Sequence, residues 1–249
     1  MTEQDADAEM AAILRETFGD SQSDSDAEES ESSRNRRPLH DSTHSIFGDT
    51  HIWEPIPEIS GLWISRDFLS ADQQSALLSA LEKDGYLAED SHNQAMKFGD
   101  LPDWAMELSY YIREDVAITS DNSKAACVFP SDLLWREPLF NQFIVNIYKP
   151  GEGICAHVDL MRFEDGIAIV SLESSCLMHF SPVEDENAEK NSAKIPVLLN
   201  PGSIVLMWGE ARYRWKHEIN RKPGFQKWDG EEIEQKRRVS VTLRKLCCV

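Results

Sequence analysis

Arg238-Val-Ser-Val-Thr-Leu-Arg244 alternates without a break. In an extended strand Arg238, Ser240, Thr242 and Arg244 fall on one side, and Val239, Val241 and Leu243 on the other. Two permanent positive charges therefore leave a half-buried strand in the same direction. An unpaired guanidinium inside a protein is strongly unfavourable, so this face calls for a carboxylate or a phosphate. The partner is an internal Asp or Glu, or else an anionic ligand; a solvent-facing strand with scattered arginines is the plain alternative. Further short strands are expected around this one. Ile144, Asn146 and Tyr148 alternate with Phe143, Val145 and Ile147, and apolar runs follow at 167–172, 176–180, 195–199, 203–208 and 238–246. Upstream the period is helical. Ser70 and Gln73 form a capping box ahead of Leu77, Leu78 and Leu81, which predicts a helix over 71–83 ending near Gly85. Pro102 opens a second helix carrying Trp104, Leu108, Tyr111 and Ile112. Two helices followed by many short strands predict an α+β fold, a jelly-roll or sheet sandwich with outer N-terminal helices.

The chain has 249 residues, 41 % of them hydrophobic and seven of them Trp, which excludes wholesale disorder. Its 44 acidic and 25 basic residues give a formal charge of -19, so it cannot coat nucleic acid through charge alone, and any such contact must be local. Residues 1–55 hold 14 of the acidic and 4 of the basic residues. Within them, SQSDSDAEESESS at 21–33 has too little apolar surface to offset the entropy of ordering. We read 1–50 as an acidic disordered tail and 51–249 as the folded domain. Met10, Ile13, Leu14 and Phe18 fall at helical spacing and suggest a docking helix for a protein partner; Ser23 and Ser25 are phosphate-acceptor candidates, and Arg34, Arg36 and Arg37 form a small basic patch. No apolar run reaches the roughly 20 residues needed to span a bilayer, and the N-terminus is acidic, so the expectation is a protein of the nucleus and/or cytoplasm with no membrane partner. Five cysteines without a CxxC pair suggest reduced thiols.

His157-Val-Asp159 places an imidazole and a carboxylate at i and i+2, which in a strand face the same way and can reach one metal ion. By itself such a triplet is more often a hydrogen-bonded pair. The preceding Asn146-Ile-Tyr148-Lys-Pro-Gly151-Glu-Gly153 sharpens it, because a strand there turns through Pro and Gly and returns with His157. Two histidines and one carboxylate leave three positions open on ferrous iron for a co-substrate and O2. His179 and His217 are the candidates for the third ligand. We favour His217, which precedes the two-arginine strand.

The order of these pieces, Asn-x-Tyr-x-Pro-Gly, His-x-Asp, a distant His after Ala211-Arg-Tyr-x-Trp215, and Arg-x-Ser-x-Thr-x-Arg, resembles the AlkB family of Fe(II)- and 2-oxoglutarate-dependent dioxygenases over 141–246. The resemblance implies a double-stranded β-helix core, with 60–112 as a looser N-terminal extension. It implies His157, Asp159 and His217 as the catalytic iron ligands. Asn146, Tyr148 and Ser240 would help to hold 2-oxoglutarate, with Arg238 on its distal carboxylate and Arg244 near its metal-bound end. Ser240 stands where the bacterial prototype has Asn. That residue and the Phe163-to-Leu172 run look more like the branch that hydroxylates modified wobble uridines of transfer RNA, a branch that in animals carries further modules for which this chain has no room. The implied chemistry is oxidative decarboxylation of 2-oxoglutarate to succinate, coupled to hydroxylation or demethylation of a base, with RNA, including transfer RNA, preferred over DNA. Contact candidates are the 86–98 segment with Lys97, Arg162, Lys216, Arg221 and Lys222. Two alternatives remain: the same chemistry on a protein side chain, and a catalytically silent jelly-roll binding module.

Overall fold

The computed structural model describes residues 51–88, 93–122, 127–183 and 194–247. The expected tail, with its docking helix, phosphate acceptors and arginine patch, lies outside them. Two antiparallel sheets stack face to face, and helices cover the outer face of the larger one. The large sheet has seven strands: β1 (Glu54–Pro55), β2 (Leu62–Ser65), β3 (Gln94–Phe98), β4 (Gln142–Tyr148), β6 (Ile167–Leu172), β9 (Ile204–Met207) and β13 (Arg238–Arg244), in the order β1-β2-β9-β6-β13-β4-β3. The small sheet has the order β5-β10-β7-β8, from β5 (Ile154–His157), β7 (Cys176–Pro182), β8 (Ile195–Leu199) and β10 (Trp215–Ile219). A two-stranded ribbon, β11 (Lys227–Trp228) and β12 (Glu231–Glu232), completes the β structure among the described residues. This is a jelly-roll core with outer N-terminal helices. No helix among the described residues is long and apolar enough to cross a membrane.

The helical layer follows from local chemistry. α1 (Ala71–Lys83) opens on the expected box: the Ser70 hydroxyl accepts from the Gln73 amide at 3.3 Å, and Gln73 Oε1 accepts from the Ser70 amide at 2.7 Å. Such a cap stabilises a helix by about 1 kcal/mol. α2 (Asp103–Asn122) runs well past Ile112, because Val116 extends its buried stripe against the sheet. Single turns α3 (Ser131–Leu134) and α4 (Glu210–Tyr213) lie between strands.

β13 is central, paired along its length with β4 on one side and β6 on the other. Val239, Val241 and Leu243 pack with Leu81, Ile112 and Val116 of the helices, each such burial contributing about 1.5–3 kcal/mol. The opposite face of the sheet, with Tyr148, Ile169 and Val205, packs on Met178, Phe180 and Val197 of the small sheet. The expectation of a half-buried β13 is therefore corrected: every residue from Arg238 to Arg244 is buried, because layers cover both faces. The two arginines point into the sandwich. Tyr86, in the segment read as a substrate-contact candidate, is half-buried and packed edge-on against Trp104 and Phe143 at the margin of the core. Gln94–Phe98 is an edge strand on β4, a pairing its own sequence does not announce.

Candidate active site

β5 and β10 lie side by side with His157 opposite His217, their ring centroids 4.3 Å apart. Gly153 permits this approach: a Cβ there would stand 1.9 Å from the Ile219 carbonyl oxygen. Asp159 lies two residues beyond the end of β5, in the irregular segment just ahead of the turn at 160–163. His157 and Asp159 do converge, but β5 ends at His157, so the segment beyond the strand, not the strand face, delivers the carboxylate. Ligand atoms of His157, Asp159 and His217 all lie within 4.8 Å of one another. His179 is not among them. On β7, Phe180 is the partner of His217 and His179 the partner of Glu218, so the period of two sends His179 to the opposite face, near Lys194.

The ring and carboxylate states suit metal binding. His157 Nδ1 sits 2.8 Å from the Cys155 carbonyl, which can only accept, so Nδ1 carries a proton and Nε2 is the nitrogen left to face a metal. Burial, then the neighbouring His157, holds the His217 imidazole down at about 3, leaving it neutral at physiological pH. Burial alone would raise the Asp159 carboxyl, but Arg244, His217 and His157 together hold it at about 2. Its Oδ1 accepts from Arg244 Nη1 at 3.0 Å, whereas Oδ2 is buried without a hydrogen-bond partner among the described residues. An anionic oxygen without a hydrogen-bond partner among the described residues, beside two imidazoles, is a donor set that a divalent cation satisfies.

Arg212, which sequence reasoning passed over, holds the Asp159 turn. It is fully buried on α4 and donates to the carbonyls of Asp159 (2.9 Å), Leu160 (2.7 Å) and Phe163 (3.2 Å). Its place just before the metal-ligand strand was visible in the Ala211-Arg-Tyr run; its burial was not.

Register aligns the remaining candidates. Arg238 is opposite Tyr148, Ser240 opposite Asn146, and Arg244 opposite Gln142, so all share the inner face of the large sheet. Asn146 Oδ1 accepts from Gln94 Nε2 at 2.8 Å, and the Tyr148 hydroxyl is bonded to Ser240. Arg238 is fully buried: Nη2 donates to Ser171 Oγ at 2.8 Å, while Nε and Nη1 have no partner among the described residues. Arg244 Nε donates to Gln142 Oε1 at 2.8 Å, and its guanidinium lies 4.1 Å from the Phe163 ring centroid. Of the contact candidates, Lys97 and Lys222 are exposed and Arg162 and Lys216 half-buried, but Arg221 is buried.

A jelly-roll that gathers two histidines and a carboxylate beside buried arginines with free donors defines a non-haem iron oxygenase that takes an anionic co-substrate. The sequence matches the 2OG-Fe(II) oxygenase superfamily over residues 61–244, and the chain belongs to that superfamily. It is a 2-oxoglutarate-dependent dioxygenase, using Fe(II), 2-oxoglutarate and O2. It is 30 % identical over 169 residues to the tRNA (carboxymethyluridine(34)-5-O)-methyltransferase alkbh8 of Xenopus tropicalis, an alignment covering 64 % of this chain and 25 % of that protein. It is 27 % identical over 212 residues to the Alkylated DNA repair protein ALKBH8 homolog of Arabidopsis thaliana, covering 76 % of this chain and 59 % of the other. The chain thus spans about a quarter of the frog relative. The solved structure of OsALKBH1 shares the fold, with a TM-score of 0.50 at 14 % identity, covering 74 % of this chain and 96 % of that one. These similarities place it with AlkB-like oxygenases.

Proposed function

We propose that this dioxygenase hydroxylates or oxidatively demethylates a base in RNA, transfer RNA in particular, in preference to DNA. The observation that carries the reading is the likeness over 169 residues to the frog protein, whose name specifies a transfer-RNA uridine. When bound, iron, 2-oxoglutarate and O2 supply the oxidation of a substrate C–H bond, with succinate and CO2 as co-products. The chain's own residues provide the rest. His157, Asp159 and His217 hold the metal; Arg238, Tyr148, Ser240 and Asn146 hold the co-substrate; Arg244 and Arg212 keep Asp159 charged and in place.

The surroundings suit an extruded base. Met161, two residues past Asp159, is 66 % exposed, and Tyr213, next to Arg212, is 37 % exposed. Both offer exposed flat or compliant apolar surface, of the kind on which a flipped base stacks. The strongly acidic composition restricts phosphate contacts to single side chains such as Arg162 and Lys216.

The test is succinate formation by anaerobically iron-loaded protein on admitting O2, with total transfer RNA, a DNA oligonucleotide of matched length, or neither. Transfer RNA should stimulate turnover several-fold over DNA, and Asp159→Ala should abolish it. Equal turnover in all three arms would overturn the RNA assignment and return the protein side chain to consideration.

A further inference from the structure

Arg221 was a candidate for substrate phosphate, but it is only 4 % exposed. It follows β10, and one of its nitrogens, Nη1, donates to the carbonyls of Lys149 (3.2 Å) and Lys236 (3.1 Å). Lys149 is the residue after Tyr148, and Lys236 stands two before Arg238, and Tyr148 and Arg238 are cross-strand partners. These bonds therefore pin the Arg221 head to the end of the large sheet where Arg238 enters. The other donors, Nε and Nη2, are buried and have no partner among the described residues, as is true of Arg238 Nε and Nη1. Both arginines act electrostatically on the same two buried groups, the Tyr148 hydroxyl and the Cys176 thiol, and on one another. No carboxylate among the described residues bonds either guanidinium.

Two adjacent buried cations with four unsatisfied donor nitrogens need an anion between them. A single carboxylate has two oxygens and about four acceptor sites, so it can serve both. We propose that Arg221 is a second anchor, beside Arg238, for the distal carboxylate of 2-oxoglutarate. The inference rests on membership of the oxygenase superfamily and is independent of the nucleic-acid reading. Its consequence is selectivity: the pocket discriminates a five-carbon 2-oxodiacid from a 2-oxoacid that lacks the second carboxylate.

The test compares two ligands that chelate iron alike. 2-Oxoglutarate and 2-oxopentanoate are titrated anaerobically into Fe(II)-loaded protein, following the charge-transfer absorption of the bound 2-oxoacid, so that binding is read without turnover. The intact protein should prefer 2-oxoglutarate by 100-fold or more. Arg221→Met and Arg238→Met should each lower that preference by roughly 10- to 100-fold, the scale of a charge-assisted bond, while leaving 2-oxopentanoate affinity within about threefold. Arg221→Lys, which keeps a cation and a donor, should retain part of the preference and serves as the variant if Arg221→Met does not fold. An unchanged preference in a folded Arg221 variant, or an equal loss for both ligands, would overturn the proposal. If neither ligand binds the iron-loaded intact protein, it is the co-substrate assignment itself that fails.

Discussion

Arg244 donates to Asp159 across 85 residues of sequence, Nη1 to Oδ1 at 3.0 Å, with both side chains buried. Its Nε is held by Gln142 Oε1 and its planar head lies over Phe163, so the fork cannot swing away. The consequence is electrostatic. Burial would favour a protonated Asp159, and this guanidinium is the foremost charge that reverses the preference and keeps a metal-ready carboxylate.

Replacing Arg244 with Met should weaken metal binding about 10- to 100-fold at pH 7, the usual scale for removing the group that orients a ligand. Removing the guanidinium should also raise the Asp159 carboxyl, so affinity should become more pH-dependent in the acid range. Anaerobic Fe(II) titrations at pH 6 and 8 check both points. Loss of affinity without added pH dependence would mean that Arg244 only positions the carboxylate.

Asp159→Ala removes the sole anionic ligand and should abolish iron-dependent succinate formation while the fold persists, because two imidazoles alone do not retain catalytic iron. Removing Asp159 also leaves the buried Arg244 without its partner, so the unfolding midpoint in urea should fall measurably without loss of the cooperative transition. Retained turnover would remove Asp159 from the ligand set.

The metal-free protein should lose stability on mild acidification. The His217 imidazole is held at about 3 when folded, against about 6.5 in an unfolded chain. A depressed folded value means that the unfolded state binds the proton first. Stability is therefore fully present above pH 6.5 and declines as pH falls from there toward 3. The slope from this one group approaches about 1.4 kcal/mol per pH unit. Asp159 adds a further loss between its unfolded value near 3.8 and about 2. Urea unfolding of chelator-treated protein at pH 7.5 and 5.5 reads the effect, and His217→Gln should flatten it.

Arg212→Met strips the donors from three carbonyls in the turn that presents Asp159. Leaving buried carbonyls unsatisfied should destabilise the protein by about 2–4 kcal/mol. Metal affinity should fall with it, since the turn and Arg244 together set the carboxylate's position. Urea unfolding and Fe(II) titration on the same preparation separate the two effects. Unchanged metal affinity in a destabilised variant would confine Arg212 to the fold.

Much of this architecture was legible from patterns of period two and 3.6. The capping box at Ser70 and Gln73 marked the start of α1 and Gly85 its end, since capping is chemistry between near neighbours. The alternation in 238–244 put both arginines on one side of β13. The C-terminal end of α2 and the existence of β2, β3 and β10 were less legible. Short strands such as Trp215–Ile219 and Gln94–Phe98 carry mixed polar residues, and pairing with a distant strand is what stabilises them.

By itself, the sequence determined which residue types are available and which of them share a strand face, because backbone geometry makes those relations local. The tertiary structure decided where those faces look. Stacking the small sheet on the large one turned the arginine face of β13 from a surface into an interior. Antiparallel pairing of β5 with β10 brought His217, not His179, beside His157. A turn held by Arg212 supplied Asp159 where strand periodicity did not, and the junction of β4 with β13 buried Arg221 beside Arg238. Each of these is a relation between residues tens of positions apart, settled by layer packing and hydrogen-bond register, which no short window of sequence encodes.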